Sequence, residues 1–512
     1  MLANRSFGLV IACFTLTATM VCGGFINGTA EYAAWYGLLQ TQLPLGSCIG
    51  FLISGLVYAP KMRRERYVTM FDPFQYKYGR KMGALLIIPH MFSDLFWSGS
   101  VLAALGGTVS IIADIDPTIS IIVSALVSVV YTFLGGLIAV AYTDVIQILM
   151  VAFGLVLACP YAMSSDHVNL TSVSSTWIGE VPAGTEWMYA DVLCLLVFGG
   201  ITWQSFYQRI LACKSPRVAM LSTSFAAVFS FLFSVPAFVL GVAGSAADWN
   251  STAYDGPLPI PDDRKSYMLP MVLSFLVPLP VSIIGLCAIA GAVMSSADSI
   301  FLSSATIFTK NIYQDIFRPQ ASSKEMLWMF RFFIVFFGVL GTLVAIFSTT
   351  IYGLFVLCCD LMYVVLFPQL TCVLWLPWSN TYGSLAGLAV SLLLRFLCGD
   401  PMLGIPSVIK FPMYDHDTET QLFPFRTFSM LAGLGCQVMI SGVAHVLFVL
   451  GYASVRFDIF NCRQQRSHQI QTKLLPVELR VDEPQEGMLG ETQAFLDDAI
   501  KACGKSLPPL NE

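Results

Sequence analysis

The chain is built mainly of long apolar runs separated by short polar segments. An apolar stretch of about 20 residues can cross a bilayer as a helix, and the pattern predicts about twelve such spans. We place them at residues 7–27, 38–58, 84–112, 118–141, 145–163, 188–207, 219–243, 281–308, 326–347, 351–376, 383–397 and 428–452. The segment 268–280 is interrupted by prolines and predicts a re-entrant or interfacial helix. The expected fold class is an all-α polytopic membrane protein.

Composition agrees with this class and argues against others. Of the 512 residues, 56% are hydrophobic and only 12% are charged, whereas soluble domains carry about 25% charged residues. The net charge of −5 gives no electrostatic footprint for nucleic acid. The 14 cysteines lie mostly inside apolar runs and the 5 histidines are scattered, so neither a disulfide framework nor a zinc site is expected. No constellation with catalytic spacing is present, which argues against an enzyme.

The distribution of basic residues predicts the orientation. They cluster in three connections, at 61–81, 209–217 and 310–324, which the positive-inside rule places in the cytoplasm. Glycosylation sequons begin at Asn169 and Asn250 in the alternating connections, so both are predicted to be outside and glycosylated. An even number of spans then puts both termini in the cytoplasm. Residues 456–512 have mixed charge and little periodicity and are predicted to form a disordered cytoplasmic tail.

Two spans carry glycine pairs that predict broken helices, Gly23-Gly24 in the first and Gly199-Gly200 in the sixth. Backbone groups freed inside a bilayer are tolerated only where they line a cavity or bind something. Breaks five spans apart are typical of two inverted five-span repeats around a midplane site. Close helix packing through glycine is the alternative. The predicted division is a first repeat at 1–163, a second at 188–376, two further helices at 377–455 and the tail.

A stripe of small residues in the eighth span is the second candidate feature. Residues spaced by three and four share one helical face, and here they are Ala292, Ser295, Ser296, Ser299 and Ser303. Hydroxyls on such a face, together with carbonyls of an unwound segment, suit a sodium ion. Asp298 in the same span favours an ion site over a plain interhelical seam, because an intramembrane charge is costly. Asp144, at the predicted junction of spans four and five, is explained adequately as a helix N-cap, and an ion role is left open.

Two tryptophans lie well inside predicted spans, Trp97 and Trp203, while the others fall in loops or at span ends. Indole faces attract desolvated cations, quaternary ammonium groups above all, with about 2 kcal/mol per favourable contact. An aromatic pocket for an organic cation is therefore one interpretation of these two residues. The alternative interpretation is that both side chains pack in the core.

The segment 135–147, GGLIAVAYTDVIQ, resembles the signature of the sodium:solute symporters. Segments 25–31, 67–75, 248–254 and 294–299 resemble the choline-transporting members of that family. The resemblance implies a five-plus-five inverted-repeat (LeuT-type) fold, and transport that depends on Na+ and on Cl−. Compared with the family pattern, the chain begins after the first family helix, which implies a truncated start or an isoform.

The resemblance also implies binding residues. The sodium site would use carbonyls and hydroxyls of Ala18, Val21, Ala292, Ser295 and Ser296. A second, inner cation site would use Asp144, Asp298 and Ser299. The aromatic substrate cage would include Trp97 and Trp203, and three cage positions differ from the family pattern, namely Met20, Ser47 and Phe355.

The leading hypothesis is a sodium-coupled, chloride-dependent symporter that imports choline or a related small organic cation by alternating access. It is expected in the lipid bilayer of the plasma membrane, with synaptic or endosomal vesicles as further locations and homo-oligomer formation left open. Met20 and Ser47 motivate one alternative, a symporter of the same fold with an altered substrate. The implied missing first helix motivates another, a transport-silent sensor or regulatory subunit.

Overall fold

The chain forms a bundle of apolar helices. A computed structural model describes residues 2–113, 115–347, 351–400 and 403–450, with 452, 454, 458–460 and 462. The helices are α1 (Leu9–Met20), α2 (Gly23–Trp35), α3 (Leu43–Ile53), α4 (Ala59–Arg64), α5 (Asp72–Tyr78), α6 (Arg80–Ala113), α7 (Pro117–Met163), α8 (Glu186–Gly199), α9 (Gln204–Ala212), α10 (Pro216–Ser245), α11 (Met268–Phe275), α12 (Leu279–Ile307), α13 (Ser323–Phe347), α14 (Ile351–Leu361), α15 (Phe367–Trp375), α16 (Thr381–Leu397) and α17 (Phe425–Ala444). Strands β1 (Tyr414–Asp415) and β2 (Thr420–Gln421) form one short antiparallel pair. The predicted tail, 456–512, lies almost wholly outside the described residues.

Length and composition make the chain a multi-pass membrane protein. In the part that the structure describes, 8 helices are long and apolar enough to span a bilayer, or up to 10 if each of two bent pairs counts as one span. Helix α7, with 47 residues, is long enough for two spans, and α16 is a shorter apolar helix. The total of about twelve stays a prediction, as do the boundaries of the two repeats. The proline-interrupted segment forms the short helix α11.

The helices fall into an inner set and an outer set. Along α13 and α17, apolar side chains such as Leu343 and Val443 point outward and are 47% and 57% exposed. In α12 and α14, by contrast, side chains such as Phe301 and Phe355 are almost fully buried. Exposed apolar rows of this kind are expected where a helix faces lipid. The buried helices α1, α2, α12 and α14 therefore form the interior in which a binding site can lie.

The predicted boundary between spans four and five is wrong. The helical geometry of α7 is interrupted at Gly136, with φ of 66° and ψ of 175°, a conformation that glycine adopts at little cost. Tyr131 donates a hydrogen bond of 2.5 Å to Thr143, 12 residues away, where a straight helix would place them about 18 Å apart. The chain therefore turns sharply at Gly136, and residues 141–145 lie inside the part of α7 that follows this turn.

Both predicted helix breaks are present. Helices α1 and α2 are bent by 53°, and the segment Glu186–Thr202 is bent by 45° against α9. The first break falls at Val21 and Cys22, just before the glycine pair. Gly23 is required for close packing, because a Cβ atom there would lie 2.5 Å from Val293. Gly23 therefore allows α2 to pack closely against α12, as the alternative interpretation expected. It also directly follows the unwound residues Val21 and Cys22.

The connections sort to two ends of the bundle as the sequence predicts. At one end the Arg63 guanidinium donates to the Cys213 carbonyl at 2.6 Å, just before α10 begins. At the other end, the backbone N–H of Asn169 donates to the Ala246 carbonyl at 2.9 Å, just after α10 ends. Because a helix of 30 residues is about 45 Å long, the basic and the sequon-bearing connections lie on opposite sides.

Replacement of Asn169 or Asn250 by glutamine is expected to remove one glycan each, because both side chains are exposed in the same group of connections. Asn27, in a third sequon, is fully buried and provides the control position, where the same replacement leaves the glycan content unchanged. Gel mobility with and without glycosidase measures the effect. Unchanged mobility for both exposed positions would contradict the prediction that these sequons carry glycans.

Candidate functional site

The unwound junction between α1 and α2 frees backbone oxygens inside the bundle. The Cys22 amide, which would continue α1 by donating to the Ala18 carbonyl, donates instead to the Met20 carbonyl at 2.7 Å. The Val21 amide still donates to Thr17 at 2.8 Å, so helical bonding ends at this residue. The Ala18 carbonyl is thereby released from its helical partner.

Helix α12 presents hydroxyls to this junction. Ser296 donates to the carbonyl of Ala292 at 3.1 Å and lies 3.5 Å from the carbonyl of Thr19 in α1. Ser295 points toward α7 and donates to the Asp144 carboxylate at 2.6 Å. All of these side chains are buried. The structure thus brings Ser296, one serine of the predicted sodium site, next to the end of α1, whereas the Ser295 hydroxyl is held by Asp144. Hydroxyl and carbonyl oxygens are the donor chemistry that a hard cation requires.

A buried ion pair lies beside these serines. The Arg209 guanidinium in α9 is 3.1 Å from the Asp144 carboxylate, donates to Thr15 at 2.9 Å and donates to Ser299 at 2.6 Å. Thr15 donates to the same carboxylate. Each of the four side chains has no solvent exposure. The cluster therefore ties together α1, α7, α9 and α12, the helices that meet at the predicted ion sites.

Two sequence interpretations are corrected by this cluster. Asp144 is not a helix N-cap, because the helix begins again directly after Gly136 and Asp144 lies inside it. Arg209 does not belong to a solvated basic connection, because α9 continues to Ala212 and buries its guanidinium. The apolar residues that follow Arg209 were the available signal that the sixth span extends past it.

The residues of the predicted second cation site are only partly brought together. Asp144 and Ser299 are joined through Arg209. Asp298 faces another way and accepts a hydrogen bond of 2.5 Å from Thr132 in α7. In this conformation the positive charge beside Asp144 is the guanidinium group of Arg209.

Four of the five predicted cage residues line one small cavity. Trp203, Met20, Ser47 and Phe355 all line it, and the Phe355 ring stands edge-on to the Trp203 indole at 5.7 Å. Trp97 lies behind, with its ring stacked on that of Trp203 at 4.3 Å. The cavity measures about 10 Å³, which is enough for about one water molecule. An organic cation is larger than this cavity, so the rings must move apart before it can bind.

Contacts on both sides close the cavity off. Toward the end with the sequons, the rings of Tyr32 in α2 and Tyr352 in α14 lie 3.7 Å apart. Toward the basic end, Asn311 donates to Asp72 at 3.0 Å and to Gln75 at 2.9 Å. This second contact was not foreseen, since it joins positions more than 200 residues apart. The structure is therefore closed to both sides of the bundle.

These features define a class of protein, a multi-pass membrane protein with two interrupted helices around a closed central cavity. A family model described as the sodium:solute symporter family matches residues 1–391. The chain belongs to the sodium:solute symporter family.

The chain is similar to several named members. The high-affinity choline transporter 1 of Drosophila melanogaster is 44% identical over 464 residues, which cover 90% of this chain and 76% of that protein. The protein of the same name from Homo sapiens is 40% identical over 520 residues, covering 96% and 90%. These relatives are named as transporters, not as enzymes.

Solved structures share the fold at low sequence identity. A substrate-bound, outward-open Na+-coupled sialic acid symporter superposes with a TM-score of 0.69 at 16% identity, covering 85% of this chain and 90% of that one. A nucleobase-cation-symport transporter in a closed conformation gives 0.55 at 14% identity, covering 86% and 94%. The inverted-repeat transporter fold predicted from the paired helix breaks is thus confirmed.

Proposed function

We propose that this protein is a sodium-coupled symporter that imports choline or a closely related organic cation across the plasma membrane. The observation that carries the proposal is the aromatic cavity at the end of α1, where Met20 lines the cavity and the neighbouring Thr19 carbonyl lies 3.5 Å from Ser296 of α12, in a chain similar over most of its length to choline transporters. Trp203 and Phe355 line this cavity, and a quaternary ammonium group is the ligand class that aromatic rings favour.

The proposed sodium site consists of the carbonyls of Ala18, Val21 and Ala292 with the hydroxyls of Ser295 and Ser296. A cation bound there would hold the end of α1 against α12, and Met20, which lines the substrate cavity, is part of that same helix. Ion and substrate would then stabilise the same closed state, which is the physical basis of coupling. The membrane potential adds about 2.3 kcal/mol per net charge for each 100 mV.

For the second cation site, formed by Asp144, Asp298 and Ser299, we propose that Arg209 supplies the positive charge in the closed state. A sodium ion next to Asp144 would have to replace the guanidinium, which holds both Asp144 and Ser299. Chloride dependence belongs to the proposal through the resemblance to choline-transporting members, and exchange of chloride for gluconate tests it.

The proposed function is tested by uptake of radiolabelled choline and other small amines in cells that express the protein, with sodium or with an impermeant organic cation in its place. We expect sodium-dependent uptake of choline above that of untransfected cells. Choline uptake that persists unchanged without sodium would contradict coupling. Uptake of a different amine alone would support the second candidate function, a symporter of the same fold with an altered substrate, which Met20 and Ser47 in the cavity wall favour.

The variant Met20→Trp is expected to lower the half-saturating choline concentration by about tenfold, because an added indole face contributes about 1 to 2 kcal/mol to binding of a desolvated cation. Concentration-dependent uptake measures the effect. Met62, a fully buried methionine that does not line the cavity, provides the control, and Met62→Leu should leave the value unchanged. If the Met20 variant reaches the cell surface and binds choline no better, the cavity does not select for choline.

A further inference from the structure

A second cavity lies between α6, α14, α16 and the connection that follows α16, apart from the transport site. Its volume is about 330 Å³, and its wall is apolar almost throughout, with Pro89, Phe92, Leu357, Leu392 and Phe396 among the lining residues. It shares no lining residue with the cavity around Trp203. A volume of this size is within the range of small-molecule sites.

This crevice, defined by the five residues above, opens on the lipid-facing surface. Phe92 and Phe396 are 52% and 47% exposed at its mouth, on helices long or apolar enough to lie in a bilayer. A hydrophobic molecule in the bilayer can therefore reach its mouth.

The floor of the crevice carries a carboxylate with an unused acceptor. Asp360 is 1% exposed and accepts a hydrogen bond of 2.5 Å at Oδ2 from Arg395. Its Oδ1 atom is buried without a hydrogen-bond partner among the described residues. Buried polar atoms are nearly always hydrogen-bonded. The neighbouring Arg426 Nε atom is also unpartnered among the described residues, but it lies 3.5 Å from Oδ2, so Oδ1 can accept a hydrogen bond from an occupant of the crevice.

The charges around Asp360 favour a cation over a neutral donor. Arg395 also binds Asp400 at 2.5 Å, and Arg426 lies 3.5 Å from Asp360 and 3.6 Å from Asp191. Among the described residues, the three carboxylates Asp191, Asp360 and Asp400 face two guanidinium groups, which leaves one negative charge in excess when all are ionised. Such an excess is costly inside a protein within a bilayer unless a cation offsets it.

We propose that the crevice binds a single-chain amphiphile with an ammonium head from the bilayer. The chain lies against Phe92, Leu392 and Phe396, and the ammonium group donates to Asp360 Oδ1. The proposal does not depend on the transported substrate, since the crevice and the transport cavity are separate. Both are lined by α14, through Leu357 and Phe355 respectively, so an occupant can influence transport through this helix.

Photolabelling of the full-length protein in membranes with a diazirine derivative of dodecylamine tests the proposal. Labelled peptides are expected from α6, α14 and α16. Unlabelled dodecylamine should compete at a concentration about tenfold lower than dodecanol or dodecanoate, which share the chain but lack the positive charge. Equal competition by all three would show simple partitioning of chains and overturn the proposal, as would stronger competition by the alcohol.

A matched pair of variants locates the site. Leu392→Trp fills the crevice, whereas Leu393→Trp places the same side chain on the adjacent residue, which is 60% exposed and does not line the crevice. Labelling should fall about tenfold in the first and stay at the wild-type level in the second. Equal labelling of both variants would overturn the assignment. If Leu392→Trp fails to fold, the head-group competition on the unaltered protein still decides the question.

Discussion

Replacing Ser296 by alanine is expected to raise the sodium concentration that half-saturates uptake by about tenfold or more. The Ser296 hydroxyl faces the unwound end of α1 and lies 3.5 Å from the Thr19 carbonyl, where we place the ion. Loss of one oxygen from a buried site removes about 1 to 3 kcal/mol, and each 1.4 kcal/mol corresponds to about tenfold in affinity. Uptake at saturating choline over a series of sodium concentrations measures the shift. Ser295→Ala should have a similar effect, because Ser295 supplies the other hydroxyl of the proposed sodium site; in the closed structure this hydroxyl donates to Asp144.

Ser303→Ala provides the control for this prediction. Ser303 belongs to the same buried stripe of α12, but its hydroxyl donates at 2.9 Å to the Ile300 carbonyl of its own helix. Ser303→Ala therefore removes a hydroxyl oxygen from α12, as Ser296→Ala does, but away from the junction between α1 and α2. Equal sodium dependence of Ser296→Ala and Ser303→Ala at comparable surface levels would place the sodium site elsewhere.

Arg209→Gln is expected to cause the largest loss, with little folded protein at the cell surface and no measurable uptake. The variant leaves the Asp144 carboxylate buried without its guanidinium partner, and breaking a buried pair on one side costs about 3 to 5 kcal/mol. The hydrogen bonds of Arg209 to Thr15 and Ser299 are lost with it. Surface biotinylation and uptake, measured together, separate a folding defect from a transport defect.

The double variant Arg209→Gln with Asp144→Asn isolates the charge effect. It removes both charges and keeps hydrogen-bonding groups at both positions, so surface expression should recover in part relative to Arg209→Gln. Lys214→Gln, two residues beyond α9 and exposed, removes a neighbouring positive charge and should behave as wild type. A wild-type phenotype of Arg209→Gln, or a double variant that is worse than the single one, would refute the structural role of the pair.

The sequence was sufficient for features that depend on local constraints. The paired breaks could be predicted because Gly23-Gly24 and Gly199-Gly200 interrupt apolar runs at equivalent places, and few physical solutions exist for such interruptions in lipid. The serine stripe of α12 was likewise visible, because helical periodicity fixes which residues share a face.

Features that depend on tertiary contacts could not be predicted from the sequence. The turn at Gly136 lies between apolar residues on both sides, so hydrophobicity does not mark it. The partner of Asp144 is 65 residues away, and neither residue carries a local sign of the other. The intramembrane pair of Asp360 with Arg395 was similarly unassigned, since α14 and α16 meet only in the folded bundle.

The aromatic cavity shows the same division. The positions of Trp97 and Trp203 inside spans indicated a role in the interior, which their burial agrees with. That one ring stacks on the other, so that only Trp203 lines the cavity, depends on the rotation of α6 relative to the second broken helix. Periodicity within one helix does not contain that information.

Transport by the purified protein in sealed proteoliposomes tests the central claim most directly. With an inward sodium gradient, radiolabelled choline should accumulate above its external concentration and then leak back as the gradient decays. With equal sodium on both sides, choline should only equilibrate. Accumulation that is the same with and without the gradient, or no entry of choline in either case, would contradict the account of this protein as a sodium-coupled choline symporter.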